Sequence, residues 1–421
     1  MHGEQTTLSS HEVGTDFIVE IDLYYPKRLH DAHRFFPLAL ERMTITREDL
    51  SPEMQDKAEV VKPTQSAKLV GTLNHKEKYV VDMRALRLYL KLGMRPGRVY
   101  RVVVVSKKAW LKPYIDLCTS KRQTATTKFE KDFWKLMVNC VYGKVMENKR
   151  NHSNVKIVLD RIRAMRLLRK PLFKQFEILT EDKALFMMQS SCIKMDKPMY
   201  VGFTVLEYSK MLMYELYYEV FSKRYPNQLT LLYTDTDSFI FKITTQNLYD
   251  DFAEPQFRDI LDNCDYPKDH PLYSEHNKKV LGKIKDETNG LPIRDFVALK
   301  AKMHAFRVGN ETEKRAKGIT RAVVRDNISW VDYYNCLFDS RVQSNIVTNI
   351  RSTNHILNTV RTLKLSLSPF DDKRYYLNNI ESVPWGHYSI PGTNVQLVPE
   401  FEQGDLNWFN LYHDIYRDLS K

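Results

Sequence analysis

The sequence predicts an α+β chain, in which strands and helices interleave without the regular β-α-β alternation of a parallel sheet. Three observations carry this. Runs with the two-residue period of strands, FIVEIDLYY (17–25) and RVYRVVVVS (98–106), are followed by stretches of helical period at about 126–147 and 204–224. The stretch LLYTDTDSFIFKI (231–243) reads as two short strands about a turn. No Gly-rich phosphate loop accompanies any of these strands.

Length and composition bound the answer. A chain of 421 residues has room for roughly two or three structural units, and 43% hydrophobic with 28% charged residues is the balance of a folded protein. The excess of 64 basic over 52 acidic residues, +12, suits a polyanionic partner such as nucleic acid. Five scattered cysteines without a C-x-x-C pair argue against a zinc site or a disulfide framework. The opening MHGEQTTLSSHEVG has no apolar signal core, and no run reaches the roughly 20 apolar residues of a membrane span. An intracellular, non-secreted protein with no membrane contact is expected. The residues name no organelle, although a nuclear setting is compatible with them.

Taken in order, the 17–25 strand is followed by a polar region and then the 98–106 strand. The helix over 126–147 places Phe129, Phe133, Leu136, Met137 and Val141 at three- and four-residue steps. The segment 149–175 is strongly basic, with Arg161, Arg163, Arg166, Arg169 and Lys170, and reads as a short helix with an extended return through FEILTED. The 204–224 helix leads into the aspartate hairpin, Leu229–Tyr233 and Ser238–Ile243. Loops rich in Pro, Asp and His follow, then a strand pair around 293–309 and a mixed remainder.

Three stretches carry candidate chemistry. Asp235 and Asp237 stand one residue apart, which on a strand directs both carboxylates to one face. Such a pair repels unless a cation neutralises it, and hard carboxylate oxygens suit Mg²⁺ together with substrate phosphates. A solvated Asp-rich turn is the plainer alternative. In WKLMVNCVYGKVMENK (134–149), Lys135, Asn139 and Tyr142 form one helical stripe able to address a phosphate, a base edge and a base or sugar face. An ordinary amphipathic helix ending at Gly143 would look the same. In ALKAKMHAF and EKRAKGITR (298–321), Lys300, Lys302 and Lys317 suit phosphate contacts or are simply solvated.

Read together, these stretches resemble the family B DNA polymerases. YTDTDS is similar to their motif C, and K-x-x-x-N-x-x-Y-G, carried by Lys135, Asn139, Tyr142 and Gly143, is similar to motif B, in the right order. Lys302, Met303 and His304 with Ala316, Lys317 and Gly318 resemble the K-x-Y and following lysine element. FIVEIDLYYPKRLHDAHRFFPLA, LKLGM, WLKPYIDL, YVGFTVLEYSKMLMYE and DDKRYYLNN…PWGHY resemble the protein-primed branch, above all polymerases of Polinton/Maverick-type transposons and related viruses. The resemblance spans about 16–390.

This resemblance implies a right-hand fold of palm, fingers and thumb. Its parts would be a palm strand and first insertion-like region at 15–105, fingers at 106–148 and a basic second insertion at 149–186. The main palm would lie at 187–305 and the thumb with the C-terminal region at 306–421. It implies Asp237 as principal ligand of the catalytic metals with Asp235 accessory, and Mg²⁺ as the cofactor, replaceable by Mn²⁺. Lys135 would hold the triphosphate of a deoxynucleotide with Arg122 or Lys121, while Asn139 and Tyr142 line the nascent base pair. Lys302, Lys317 and His304 would meet primer–template DNA, and a terminal priming protein is a possible further partner. Three departures stand out: Cys140 replaces the usual Ser, His304 replaces the usual Tyr, and neither a D-x-x-x-L-Y motif A nor an exonuclease D-x-E is found. In this group both lie upstream of FIVEIDLYYP, so the C-terminal part of a longer polymerase is expected, one that does not polymerise alone. Glu20 and Asp22 are rejected as motif A substitutes on reach and spacing. A non-catalytic DNA-binding remnant of a mobile element and a Mg²⁺ nuclease are the alternative readings.

Overall fold

The computed structural model describes residues 14–353, 356–378 and 380–395, so the end of the 306–421 region lies outside the described residues. The architecture is mixed α and β, with small antiparallel sheets of two or three strands. Strand β1 (Gly14–Tyr24) buries Phe17, Val19, Ile21 and Leu23 on one face. It is the central strand between β2 (Lys76–Asp82) and β3 (Arg95–Lys107). Helix α1 (Met83–Lys91) follows directly, its first turn capped by the Asp82 carboxylate, which accepts from the Arg84 N–H. Ala85, Leu86, Leu88 and Tyr89 pack against β1 in a core that also takes in Leu38, Leu73 and Tyr214. Each such apolar side chain contributes roughly 1.5–3 kcal/mol on burial.

The opposite face of β1 carries Glu20 and Asp22. Arg101 donates to both Glu20 oxygens at 2.6 and 3.1 Å. Asp22 accepts from the Tyr100 hydroxyl at 2.9 Å and the Lys78 N–H at 2.8 Å. Both carboxylates are engaged by neighbours within their own sheet.

Helices α2 (Lys112–Thr124) and α3 (Lys128–Val145) pack as a pair, tied by the Tyr114 hydroxyl donating to the Met137 carbonyl. Thr127 and Glu130 form a capping box at the start of α3. Gly143 does not end this helix, which runs to Val145. The stripe Phe129, Phe133 and Leu136 stays exposed instead of entering a core.

The basic segment folds as its own small unit. Strands β4 (Asn154–Val158), β5 (Phe173–Thr180) and β6 (Lys183–Met188) order as β4-β6-β5. Helix α4 (Arg161–Leu168), capped by Asp160, covers them over Val158, Leu167, Phe186 and Met188. Arg161, Arg163, Arg166, Arg169 and Lys170 all remain exposed.

Helix α5 (Met199–Glu215) continues into a π-helical turn, Leu216–Phe221, and a last turn at Ser222–Arg224. Tyr214 faces the β1 core, where its hydroxyl donates to the Pro37 carbonyl at 2.9 Å. Phe221 faces a different core with Tyr225, Phe257 and Leu261, against which the aspartate hairpin packs. That hairpin is β7 (Leu229–Asp235) and β8 (Ser238–Ile243), a sheet of two strands not hydrogen-bonded to β1.

Beyond it, β9 (Ile293–Lys300), β10 (Met303–Val308) and β11 (Glu311–Ala316) form a three-stranded meander. Helices α6 (Arg321–Asn327) and α7 (Trp330–Phe338) close over its core of Val297, Leu299, Ala305, Tyr333 and Cys336. A long ribbon, β12 (Gln343–Thr353) with β13 (Ile356–Leu367), leaves Ile350, Leu357 and Leu363 exposed. No helix of the described residues is long and apolar enough to cross a membrane.

The segment after β1 is tied to the far end of the described chain through buried imidazoles. Tyr388 donates its N–H to His30 Nδ1 at 3.2 Å, and His33 Nδ1 lies 2.7 Å from the Tyr25 hydroxyl. Burial pushes both imidazoles down to about 4, with the His387 charge adding to the effect at His30 and the His30 charge at His33. In the unfolded chain each titrates near about 6.5, so between the two values the unfolded state binds the extra proton. The stability they contribute is complete above about pH 6.5 and is lost as pH falls from there toward about 4, on the order of 1 kcal/mol per pH unit per imidazole. Thermal midpoints are expected to fall between about pH 7 and 5, less steeply in His33→Gln. A flat wild-type midpoint over that range would refute the argument.

Candidate active site

The hairpin tip is where the sequence places its paired carboxylates. Strand β7 ends at Asp235, which pairs with Ser238, so Thr236 and Asp237 form a two-residue connection. The same-face expectation for Asp235 and Asp237, which assumed a continuous strand, therefore does not hold as stated. A turn sets their relative direction. The Asp237 N–H donates back to the Asp235 carbonyl at 2.7 Å while Thr236 has φ +58°. A two-residue hydrogen bond about a positive φ is the rarer and strained form of γ-turn. A β-branched residue in that region costs on the order of 1–3 kcal/mol, which the surrounding structure must offset. Phe239 and Phe241 offset it by anchoring β8 against Phe36, Tyr217 and Phe221, with ring centroids 4.9–6.2 Å apart.

The two carboxylates have different surroundings. Asp235 is partly buried: its Oδ1 accepts from the Thr236 hydroxyl at 3.2 Å, and its Oδ2 lies 2.7 Å from Lys302 Nζ. Asp237 is exposed, and no side chain among the described residues hydrogen-bonds or pairs with its carboxylate.

Lys302 reaches Asp235 from the connection between β9 and β10. Its N–H donates to the Tyr233 hydroxyl at 3.0 Å, and its carbonyl accepts from the Lys317 N–H at 3.1 Å. Its φ of +61° is thereby fixed from both sides. The Asp235 carboxylate raises the Lys302 ammonium above its ordinary range, with smaller help from Tyr233 and Asp237. Segments 67 residues apart in sequence thus meet at one carboxylate.

His304 lies beneath this contact at 8% exposure. Its ring sits 4.3 Å from that of Tyr233 and is flanked by Phe296 and Phe306. Burial pushes its imidazole down to about 4, with Arg315 adding to the effect, so the ring is neutral at pH 7. Lys317 is exposed on the neighbouring turn, whereas Lys300 is half-buried, its ammonium lowered by that burial.

The helical stripe singled out in the sequence stands elsewhere. Lys135, Asn139 and Tyr142 are all exposed on α3, and among the described residues none shares a hydrogen bond or ion pair with the hairpin. Lys121 and Arg122 lie near the end of α2. There the loop 277–279 meets them, with Lys279 Nζ at 3.5 Å from the Arg122 carbonyl. The sequence reading gave this region as loop but not its contact with α2, which joins segments 157 residues apart.

Carboxylates supply hard oxygen ligands, and Mg²⁺ is commonly bound by one or two of them with water and phosphate oxygens. Of the two at the hairpin tip, Asp237 is open to solvent while Asp235 Oδ2 is taken by Lys302. Among the described residues no group of three or more His, Cys, Asp or Glu side chains gathers into a metal cluster.

No protein-family model matches this chain, and no curated protein sequence matches it. Among solved structures it is similar to phi29 DNA polymerase complexed with primer-template DNA, in the post-translocation binary complex. The identity is 13% and the TM-score 0.44, over 87% of this chain and 53% of that one. It is similar likewise to phi29 DNA polymerase complexed with primer-template DNA and incoming nucleotide substrates, at 14% identity and TM-score 0.42, over 84% of this chain and 58% of that one. The chain therefore spans between half and three-fifths of the length of these polymerases.

Proposed function

We propose that this chain is the catalytic portion of a DNA-directed DNA polymerase, transferring nucleotidyl groups from deoxynucleoside triphosphates to a primer on a DNA template. One observation carries the reading: Lys302, named with Asp235 from separate motifs of the sequence, lies 2.7 Å from it in the fold. Asp237, exposed at a strained tip, would hold the Mg²⁺ with Asp235 as its accessory. When bound, Mg²⁺ supplies Lewis-acid stabilisation of the attacking 3′ oxygen and of the leaving pyrophosphate.

The remaining roles belong to side chains of this chain. Lys135 on α3, with Lys121 and Arg122 on α2, is suited to the triphosphate because ammonium and guanidinium groups donate to phosphate oxygens. Asn139 and Tyr142, further along the same helical face, would line the nascent base pair. Lys317 and Lys302 would hold primer phosphates. His304 would act by backing Tyr233, not by touching DNA, since it is buried. In this scheme a palm strand with a first insertion-like region spans 15–105, fingers 106–148, a basic second insertion 149–186, the main palm 187–305, and the thumb with the C-terminal region 306–421. A terminal protein as primer and a transposon or viral origin follow from the motif resemblance alone.

DNA affinity tests this reading directly. The exposed arginines of α4 and its flank should give binding dominated by phosphate, with log K falling about 0.9 per contacted phosphate against log salt. Replacing Arg161, Arg163, Arg166 and Arg169 by alanine is expected to flatten that slope by about two to four and weaken all sequences alike. No binding of primer–template DNA, or binding indifferent to salt, would remove the polymerase assignment.

A further inference from the structure

We propose that Lys302 is the resident counter-ion of the aspartate pair, and that it yields Asp235 to a divalent metal by transferring its ammonium to a nucleic-acid phosphate. The inference rests on reading the hairpin as a metal-binding site and adds a rule for how that site is loaded. Two carboxylates at one turn repel each other, and Asp235 is relieved by an ammonium of this chain at 2.7 Å. The placement is enforced by the backbone. The Tyr233 hydroxyl holds the Lys302 N–H and Lys317 holds its carbonyl, at a φ of +61° that few side chains adopt unforced. The pair itself is exchangeable, since the Lys302 side chain is 53% exposed and such pairs are weak.

Ammonium and metal cannot share Asp235 Oδ2 without repulsion, so metal binding and the ion pair exclude each other. Once displaced, the ammonium is a free cation beside the metal, where a phosphate is its natural partner. Phosphate and metal then favour each other, and by linkage the effect is reciprocal. A lysine that only gripped DNA would leave metal affinity untouched.

The experiment measures Mn²⁺ binding to the full chain by electron paramagnetic resonance, without nucleic acid. Lys302→Met, which keeps a long side chain and removes the charge, is expected to bind Mn²⁺ roughly fivefold more tightly than wild type, the size of a relieved surface ion pair. Lys302→Arg is expected to bind it more weakly, because the guanidinium fork holds a carboxylate through two donors. A second measurement follows labelled primer–template DNA by anisotropy, with and without saturating Mn²⁺. Mn²⁺ screens the duplex equally in both proteins, so wild type should gain more DNA affinity from it than Lys302→Met. Unchanged or weaker Mn²⁺ binding by Lys302→Met, with the wild-type circular dichroism spectrum, overturns the counter-ion role alone. Equal Mn²⁺ binding by wild type and the double variant Asp235→Asn, Asp237→Asn overturns the metal-site reading beneath it.

Discussion

Replacing Asp237 by alanine is expected to abolish primer extension while leaving the Kd for primer–template DNA within about twofold. The measurement uses the chain joined to an upstream segment bearing the D-x-x-x-L-Y element that the motif resemblance implies. Asp237 is the exposed carboxylate of the pair, engaged by no described side chain, so its loss would remove the proposed ligand without uncovering a buried partner. A missing metal ligand costs several kcal/mol of transition-state stabilisation, and each 1.36 kcal/mol is about tenfold in rate, so a loss of about a thousandfold or more is expected. Asp235→Ala is expected to reduce the rate less, because Asp235 is shared with Lys302. Extension at near wild-type rate by Asp237→Ala would take the hairpin out of the chemistry.

Tyr214→Ala is expected to be the most destabilising single substitution on α5, lowering stability by about 3–5 kcal/mol. The side chain is 1% exposed, lies 4.7 Å from Phe36 and 5.9 Å from Tyr89 between ring centroids, and donates to the Pro37 carbonyl. Truncation leaves a cavity and a buried carbonyl without its donor. Tyr214→Phe separates these effects, since only the hydrogen bond is lost, at about 1–2 kcal/mol. Urea unfolding of the three proteins measures both. A shift below about 1 kcal/mol for alanine would mean that α5 does not anchor the β1 core.

Much of the local structure was legible because apolar period and turn chemistry are written in adjacent residues. Strands 17–25 and 98–106, the 126–147 helix and the hairpin strands all appear within a few residues of their expected limits. The helix read at 204–224 starts earlier, at Met199, since Pro198 serves as its N-terminal stop. The β2–α1 unit over 76–91 was not read, because its strand KEKYVVD opens with charges that hide the period. Of the candidate site, the aspartates and Lys302 were named in advance, but their contact was not derivable, being a pairing of segments distant in sequence. His304 was expected at the DNA and lies in a core instead: Met303, His304 and Ala305 are all buried, so strand alternation does not expose it. The left-handed Thr236 escaped notice because β-branched residues seldom mark such turns.

The π-helical turn at Leu216–Phe221 has a consequence for sequence length. It holds one residue more than an α-helical turn would, so the side chains after it lie about 100° behind where a continuous α-helix would put them. Upstream of it Tyr214 points into the β1 core, and downstream Phe221 packs against Phe241 of the hairpin, the rings tilted and 4.9 Å apart. Wound as a regular α-helix the same residues would swing Phe221 off its partner, whereas removing one residue of the turn would leave a regular helix with Phe221 still in phase. A one-residue deletion here is therefore expected to be better tolerated than a further insertion. The wide turn takes up the extra residue and so keeps Phe221 seated beneath the hairpin strands that carry positions 235 and 237.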